Sequence, residues 1–299
     1  MRPQATFLPV KSEAGAHTLA LYDWGDSHAR HVIVCVHGLT RNAADFDVFA
    51  SHMAARGSRV IALSMAGRGE SAWLTDPMQY SYATYVADCL SVLDNFHLRH
   101  IDWVGTSMGG IIGMMIAAYH PKRIRKLVLN DVGSFLSKEA LTRIYSYVAS
   151  LPEAFASMED AEAYMRKNFA PWALEGTPYW ESFIASSLEP IKDGHVRLRC
   201  DPQIIAPMRR DSKEFTEVQD VNLADIWARI KHPTLILRGA DSDILLPHTV
   251  EAMKSTNLRA QSTIIEGVGH CPSLMKPEEI TVIERFLMQR DTIPMVAGM

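Results

Sequence analysis

Ser107 has the sequence surroundings that a nucleophilic hydroxyl needs. It is the centre of GTSMG at 105–109, which fits the pattern G-x-S-x-G. A short apolar run, 101–104, precedes this segment, and an apolar helical stretch, 110–119, follows it. The order predicts a strand, a sharp turn and a helix, with the serine exposed at the apex of the turn. The glycines are expected because side chains at their positions would collide with the backbone of so tight a turn.

A base must accept the proton of a serine hydroxyl before that hydroxyl becomes a useful nucleophile. His270 is the candidate base because it follows a predicted strand, 262–265, and comes directly after GVG at 267–269. This position places the histidine on a loop at a strand end and not in the core. The sequence therefore predicts that His270 takes the proton of Ser107.

Three aspartates are candidates for the acid that orients this histidine. Asp241 and Asp243 follow a predicted strand, 234–238, whereas Asp131 comes at the end of another, 126–130. An acid at one strand end can reach a histidine at the end of a neighbouring strand, because the carboxyl ends of parallel strands share one edge of the sheet. The residue pattern alone leaves the three open.

Two backbone N–H groups are expected to stabilise the oxyanion that forms when a serine attacks a carbonyl carbon. One belongs to Met108, the residue after the nucleophile. The other belongs to Leu39, on the loop that follows His37 and an unbroken apolar strand at 32–36. Each such donor typically contributes about 3 kcal/mol to transition-state stabilisation.

Five motifs together resemble those of the α/β-hydrolase family. They are HG at 37–38, GRGES at 67–71, GTSMGG at 105–110, GADSDILLP at 239–247 and GVGH at 267–270. The resemblance covers nearly the whole chain and is strongest to bacterial carboxylesterases and lactonases that carry a helical cap. It implies an α/β fold with a mostly parallel central sheet, helices on both faces and an inserted helical cap.

The resemblance also ranks the candidate residues. The family's chain order of nucleophile, acid and histidine implies Ser107, Asp243 and His270 as the catalytic residues. Asp243 is preferred because the ILLP that follows it at 244–247 is similar to the family's acid loop. Asp131 remains a rival, since some relatives place the acid there, and Asp241 is a further rival. In this family the histidine of the HG motif is usually structural.

The alternation of predicted strands and helices is interrupted once. The interval between 130 and 234 is far too long for an ordinary crossover and is rich in helical patterns. The predicted organisation is a hydrolase core at 1–132 and 222–299 with a cap at 133–221. Trp172 and Trp180 are predicted to contact substrate, with packing inside the cap itself as the alternative.

Four arginines of this interval are candidates for binding a substrate carboxylate, although such residues more often cover a solvated face. They are Arg197, Arg199, Arg209 and Arg210.

The composition of the chain narrows the classes of molecule that it is expected to bind. The chain has 299 residues, 47% of them apolar, and a net charge of −4, which gives no electrostatic reason to expect nucleic acid. The apolar stretch 108–119 is shorter than the roughly 20 residues that span a bilayer, so no stable membrane insertion is predicted. The N-terminus has no apolar signal-peptide run, and the four cysteines show no paired spacing, so a cytoplasmic protein with reduced thiols is expected. No metal and no cofactor are predicted, and the oligomeric state is left open.

These observations favour a serine hydrolase that cleaves carboxylic esters or lactones through an acyl-enzyme intermediate. A C–C bond hydrolase or a thioesterase on the same residues is the alternative chemistry. The C–C hydrolases of this family commonly have a tryptophan after the histidine, whereas Cys271 follows His270 here. A small-ligand receptor that retains the hydrolase residues is the alternative from another class.

Overall fold

The computed structural model describes residues 2–208 and 218–289. Within these ranges the strands are β1 (Thr6–Ser12), β2 (Gly15–Trp24), β3 (Val32–Val36), β4 (Arg59–Leu63), β5 (Ile101–Thr106), β6 (Ile124–Asn130), β7 (Phe135–Leu136), β8 (Leu188–Pro190), β9 (Val196–Leu198), β10 (Val221–Asn222), β11 (Thr234–Gly239) and β12 (Ala260–Ile265). The α-helices are α1 (Asp47–Ala54), α2 (Tyr82–Asn95), α3 (Met108–Tyr119), α4 (Lys138–Ala149), α5 (Met158–Phe169), α6 (Trp180–Ser187), α7 (Ala224–Arg229), α8 (Pro247–Thr256) and α9 (Pro277–Met288).

Eight of these strands form one central sheet in the order β1-β2-β4-β3-β5-β6-β11-β12. The pairs β1–β2 and β2–β4 are antiparallel, and the pairs from β4 to β12 are parallel. The predicted α/β fold with an antiparallel start and a mostly parallel sheet is thus confirmed. The order places β6 between β5 and β11, so the carboxyl ends of these three strands are neighbours.

Helices cover both faces of the sheet. Along β3, Ile33 and Cys35 pack into one hydrophobic cluster, whereas Val34 and Val36 pack into the other. Successive side chains of a strand point to opposite faces, so a strand that is covered twice must be apolar at every position. Helices α1 and α9 contribute to the first cluster, and α2 and α3 contribute to the second. This double cover explains the unbroken apolar runs in the sequence.

The segment between β6 and β11 is the long insertion that the sequence indicates. It contains helices α4 and α5, in agreement with the helical patterns of this interval. Strands β7 and β10 pair with each other, so the two ends of the insertion meet. All eight strands of the central sheet come from outside this segment.

Other general features concern the thiols and the helix lengths. The four cysteines are free and buried, as expected from their spacing. No helix in the described part of the chain is both long enough and apolar enough to cross a bilayer.

Candidate active site

Ser107 lies at the apex of a sharp turn between β5 and α3. Its φ of 50° and ψ of −111° are a strained conformation for a residue with a side chain, of the kind that clusters at active sites. A Cβ atom at Gly105 would lie 2.3 Å from the carbonyl oxygen of Gly109. A Cβ at Gly109 would lie 2.0 Å from the carbonyl oxygen of Val36. Both glycines are therefore required by close approach of the backbone, as the sequence pattern predicts.

A chain of hydrogen bonds connects this serine to a histidine and an aspartate. Nε2 of His270 lies 3.1 Å from Oγ of Ser107, and Nδ1 lies 2.6 Å from Oδ2 of Asp131. Because a carboxylate only accepts hydrogen bonds, the proton of a neutral imidazole belongs on Nδ1. That tautomer leaves Nε2 free to accept the proton of Ser107.

Asp131 is fully buried, and three donors hold its carboxylate. The N–H of Gly239 donates to Oδ1 at 2.9 Å. The hydroxyl of Ser242 donates to Oδ2 at 2.5 Å, beside the bond from His270. A buried carboxylate is stable only when it is paired or hydrogen-bonded in this way. Two donors come from the end of β11 and the loop after it, and the third comes from the loop after β12, so the strand order of the sheet sets the geometry.

Asp243, the preferred acid, does not contact His270, so this prediction is wrong. Its side chain is about half exposed and accepts two hydrogen bonds from Arg143, at 2.6 and 2.8 Å. Asp241 is exposed as well, whereas Ser242 between them is buried. Neighbouring side chains of this loop therefore point in opposite directions, and the inward position belongs to the serine.

The loop after β3 is held by the histidine of the HG motif. Nδ1 of His37 donates to the carbonyl oxygen of Gly38 at 2.7 Å, and Nε2 accepts from the N–H of Met65 at 2.9 Å. Burial lowers the pKa of His37 to about 3, so the ring is neutral. Its role is structural, in agreement with the resemblance.

The fully buried guanidinium of Arg68 contacts both residues whose N–H groups are the expected oxyanion donors. Nε donates to the carbonyl oxygen of Leu39 at 2.9 Å, and Nη2 lies 3.7 Å from the sulfur of Met108. A third contact, from Nη1 to the hydroxyl of Tyr85 at 2.7 Å, fixes the guanidinium itself. Sequence reasoning missed this residue, although it lies within the GRGES motif.

A cavity of about 720 Å³ opens above the serine. Ser107, His270, Leu39 and Met108 line it together. Apolar side chains of the core and of the insertion complete the wall, among them Ile111, Met115, Val132, Leu141, Ile144 and Val148. The size and the apolar wall suit a small organic ligand.

The two predicted tryptophans have different positions. Trp172 lines the cavity and packs against Phe169 with a ring-centroid distance of 5.4 Å. Trp180 is not among the described residues that line the cavity; its ring packs on Phe183 with a centroid distance of 5.8 Å. The prediction of substrate contact fails for Trp180, because the aromatic cluster of the insertion accounts for its packing.

Two of the four candidate arginines are described by the structure, and neither lines the cavity. Arg197 and Arg199 pair with Glu189 at 2.6 and 3.3 Å, and neither is among the described lining residues. Arg209 and Arg210 lie outside the described residues.

Cys271 lines the cavity next to His270 and is the other potential nucleophile. Burial raises the pKa of its thiol well above the usual value, with the nearby charge of Asp131 in the same direction. The thiol therefore stays protonated, and a protonated thiol is a poor nucleophile.

Comparison with known proteins shows the family to which the chain belongs, and the fold agrees with it. The model of the alpha/beta hydrolase family matches residues 33–281, and the chain belongs to this family. The 3-hydroxybutyrate-oligomer hydrolase of Cupriavidus necator is 36% identical over 95% of this chain and 97% of that protein. The 2-hydroxy-6-oxo-2,4-heptadienoate hydrolase of Pseudomonas putida is 27% identical over 94% of this chain and 99% of that protein.

Solved structures support the same assignment. A crystallised protein from Rickettsia typhi superimposes with a TM-score of 0.88 at 30% identity, over 96% of this chain and 99% of its own. An alpha/beta hydrolase from Novosphingobium aromaticivorans does so with a TM-score of 0.81 at 29% identity, over 95% and 98% of the two chains.

The low pKa of His37 predicts a pH-dependent contribution to stability. In the unfolded chain a histidine takes up a proton near pH 6.5. In the folded protein the ring of His37 stays neutral down to about pH 3. This contribution is complete above pH 6.5 and is lost as the pH falls towards 3. Between pH 7 and pH 5 it should decrease by about 2 kcal/mol. Urea unfolding of the wild type and of His37→Gln at both pH values measures it. An equal pH dependence in the two proteins would contradict the assignment.

The contacts of Arg68 predict a defect in the rate of turnover. Arg68→Met removes the donor to the carbonyl oxygen of Leu39 and should lower kcat about 10- to 100-fold, less than the loss of an oxyanion donor itself. KM should change little, because the expected oxyanion donors would act on the transition state. Tyr85→Phe, which removes only a partner of the guanidinium, is the control and should lower kcat less. A folded Arg68→Met protein with wild-type kcat would refute this role.

Proposed function

We propose that the protein is a serine hydrolase of carboxylic esters, with Ser107, His270 and Asp131 as its catalytic triad. The observation that carries this proposal is the continuous hydrogen-bonded chain from the serine through the histidine to a buried carboxylate. Ser107 and His270 face a cavity that can hold a small organic substrate, and Asp131 lies buried behind the histidine. An activated serine beside a histidine base is the arrangement that acyl transfer requires.

The reaction has two halves. In the first, Oγ of Ser107 attacks the ester carbonyl while Nε2 of His270 accepts the serine proton and then passes it to the leaving alcohol. The N–H groups of Leu39 and Met108 stabilise the oxyanion. In the second half, His270 takes a proton from water, and the hydroxide so formed attacks the carbonyl carbon of the acyl-enzyme. His270 then returns the proton to Oγ of Ser107 as the acid is released. Asp131 fixes the tautomer and stabilises the imidazolium in both halves.

The substrate class follows from the relative and the cavity together. The similarity to a 3-hydroxybutyrate-oligomer hydrolase over nearly the full length supports oligoesters of short hydroxy acids as substrates. Such chains are mostly apolar between their ester groups, as is the wall of the cavity. Lactones fit the same chemistry, because acid and alcohol are then parts of one molecule.

We also propose that residues 133–221 form a cap over the site and that residues 1–132 and 222–299 form the core. Side chains of α4 contact the cavity from one side, and those of α3 contact it from the other. Arg41, on the loop after β3, connects the two parts. Its guanidinium lies 4.2 Å from the ring centroid of Phe183 and donates to the hydroxyl of Ser187 at 2.7 Å.

The four buried free cysteines support a location in the cytoplasm.

C–C bond hydrolysis is a second candidate. The 2-hydroxy-6-oxo-2,4-heptadienoate hydrolase of Pseudomonas putida supports it, since that protein is 27% identical over nearly the full length. The identity to the oligoester hydrolase is higher, at 36%. Incubation with both kinds of substrate distinguishes the two reactions, and a receptor would turn over neither.

Replacement of the serine tests the proposal. The wild type should release monomer from a linear 3-hydroxybutyrate trimer, as measured by liquid chromatography and mass spectrometry. Ser107→Ala should lower kcat by roughly 10⁴- to 10⁶-fold while the fold survives, because the acyl-enzyme can no longer form.

Cys271→Ala is the matched control, because it removes the neighbouring thiol that shares the cavity. It should retain most of the activity, and a fluorophosphonate should label it as it labels the wild type. Loss of labelling in Cys271→Ala, or more than a tenth of wild-type activity in Ser107→Ala, would contradict a serine nucleophile.

A further inference from the structure

The charges around the cavity are unusual for a chain with a net charge of −4. Three cationic side chains are among its described lining residues, and they are Arg41, Arg143 and Lys167. Within the described ranges 2–208 and 218–289, no aspartate or glutamate lines it. The described part of the wall therefore contains cations and no carboxylate, on a molecule that is negative as a whole.

Two of these cations are already neutralised. Arg41 is buried and forms an ion pair with Asp45 at 2.6 Å. Arg143 is half exposed and is held by both carboxylate oxygens of Asp243, the aspartate that the sequence favoured as the catalytic acid. Their charges are committed to the protein, and an anionic group of a substrate would have to compete for them.

Lys167 differs from both. It lies in the last turn of α5, its side chain is exposed, and it lines the cavity. In the part of the chain that the structure describes, it forms no ion pair. Its neighbour Arg166, by contrast, pairs with Glu162 at 3.2 Å and with Glu175 at 3.1 Å, and it is not a lining residue. Among the described residues, the helix thus presents to the cavity an ammonium group that has no ion-pair partner, whereas its neighbouring guanidinium is paired elsewhere.

We propose that Lys167 binds the free terminal carboxylate of the oligoester and so makes the enzyme select chains by their acid end. This inference rests on the proposed function and specifies its substrate. An oligomer of a hydroxy acid carries one carboxylate, at its acid end, and its other groups are neutral. A cation on an apolar wall therefore recognises the only charged group of the substrate. Because the ammonium is exposed, the interaction should be moderate and sensitive to salt.

The test compares a linear 3-hydroxybutyrate trimer with its methyl ester, which lacks the negative charge of the acid end. Because the methyl ester adds a third cleavable bond, only cleavage of the two ester bonds between monomers is counted. For the wild type, kcat/KM should be about three- to fivefold higher for the free acid, mainly through a lower KM. In Lys167→Gln this ratio should fall to near one. Arg166→Gln is the matched control, since it removes one charge from the adjacent position of the same helix, and its ratio should remain that of the wild type.

Salt provides a second readout. The ratio for the wild type should decrease as sodium chloride is raised from 0.15 M to 1 M, because the Debye length falls from about 8 Å to about 3 Å. The ratio for Lys167→Gln should hardly change. Circular dichroism at matched temperatures confirms that both variants are folded, as expected for exposed side chains.

The outcomes separate this inference from the proposed function. Equal cleavage of acid and methyl ester by the wild type would overturn the role of Lys167 and leave the ester hydrolase intact. An unchanged ratio in Lys167→Gln, or an equal fall in Arg166→Gln, would overturn it in the same way. If neither trimer were cleaved while a p-nitrophenyl ester was, the oligoester class would be wrong, and the inference would fall with it.

Discussion

The buried carboxylate of Asp131 is the group on which the whole site depends. It receives hydrogen bonds from the backbone of Gly239, the hydroxyl of Ser242 and the ring of His270. These donors belong to the end of one strand and to two separate loops, so one charge holds three segments of chain together. Removal of any donor would leave part of a buried charge without compensation, which is costly. The position of the histidine is therefore fixed by electrostatics as much as by packing.

The sheet provides the other half of the geometry. Ser107 is positioned because Gly105 and Gly109 allow the backbones of β5, α3 and β3 to approach each other closely. Asn130 lies at the end of β6. Its backbone carbonyl oxygen accepts a hydrogen bond from the N–H of Ser107 at 2.9 Å, and its side-chain Nδ2 donates to the carbonyl oxygen of Pro272 at 2.8 Å. The residue before the acid thus joins the serine turn to the histidine loop. Neighbouring strand ends bring together residues that are more than a hundred positions apart in sequence.

This arrangement explains which features the sequence predicts well. Continuous apolar strands and the glycines around Ser107 are local constraints, because double burial and close backbone approach act on each position separately. The bounds of β3 are those expected from the sequence. The family, too, follows from local motifs, and the comparison confirms it.

The features that the sequence predicts poorly depend on long-range geometry. The choice between Asp131 and Asp243 depends on which side chain of a loop points inward, and Ser242 occupies that direction. Strand order does not decide the choice, because β11, the strand before Asp243, lies next to β12 and between β12 and β6. The residue types of Trp180 and Arg197 suit substrate binding. Their side chains instead contact local partners, Phe183 and Glu189 respectively. Residue type indicates what a side chain can bind, whereas the fold decides what it meets.

In the proposed ester hydrolase, Asp131 and not Asp243 orients His270. The most direct test is kcat for a neutral p-nitrophenyl ester in Asp131→Asn and Asp243→Asn, measured side by side. Asp131→Asn keeps the shape of the side chain but removes the charge, so the histidine adopts the wrong tautomer and kcat should fall by roughly 10⁴-fold. Asp243→Asn should retain kcat within about threefold, because an exposed ion pair contributes little. A larger loss in Asp243→Asn than in Asp131→Asn would contradict the account.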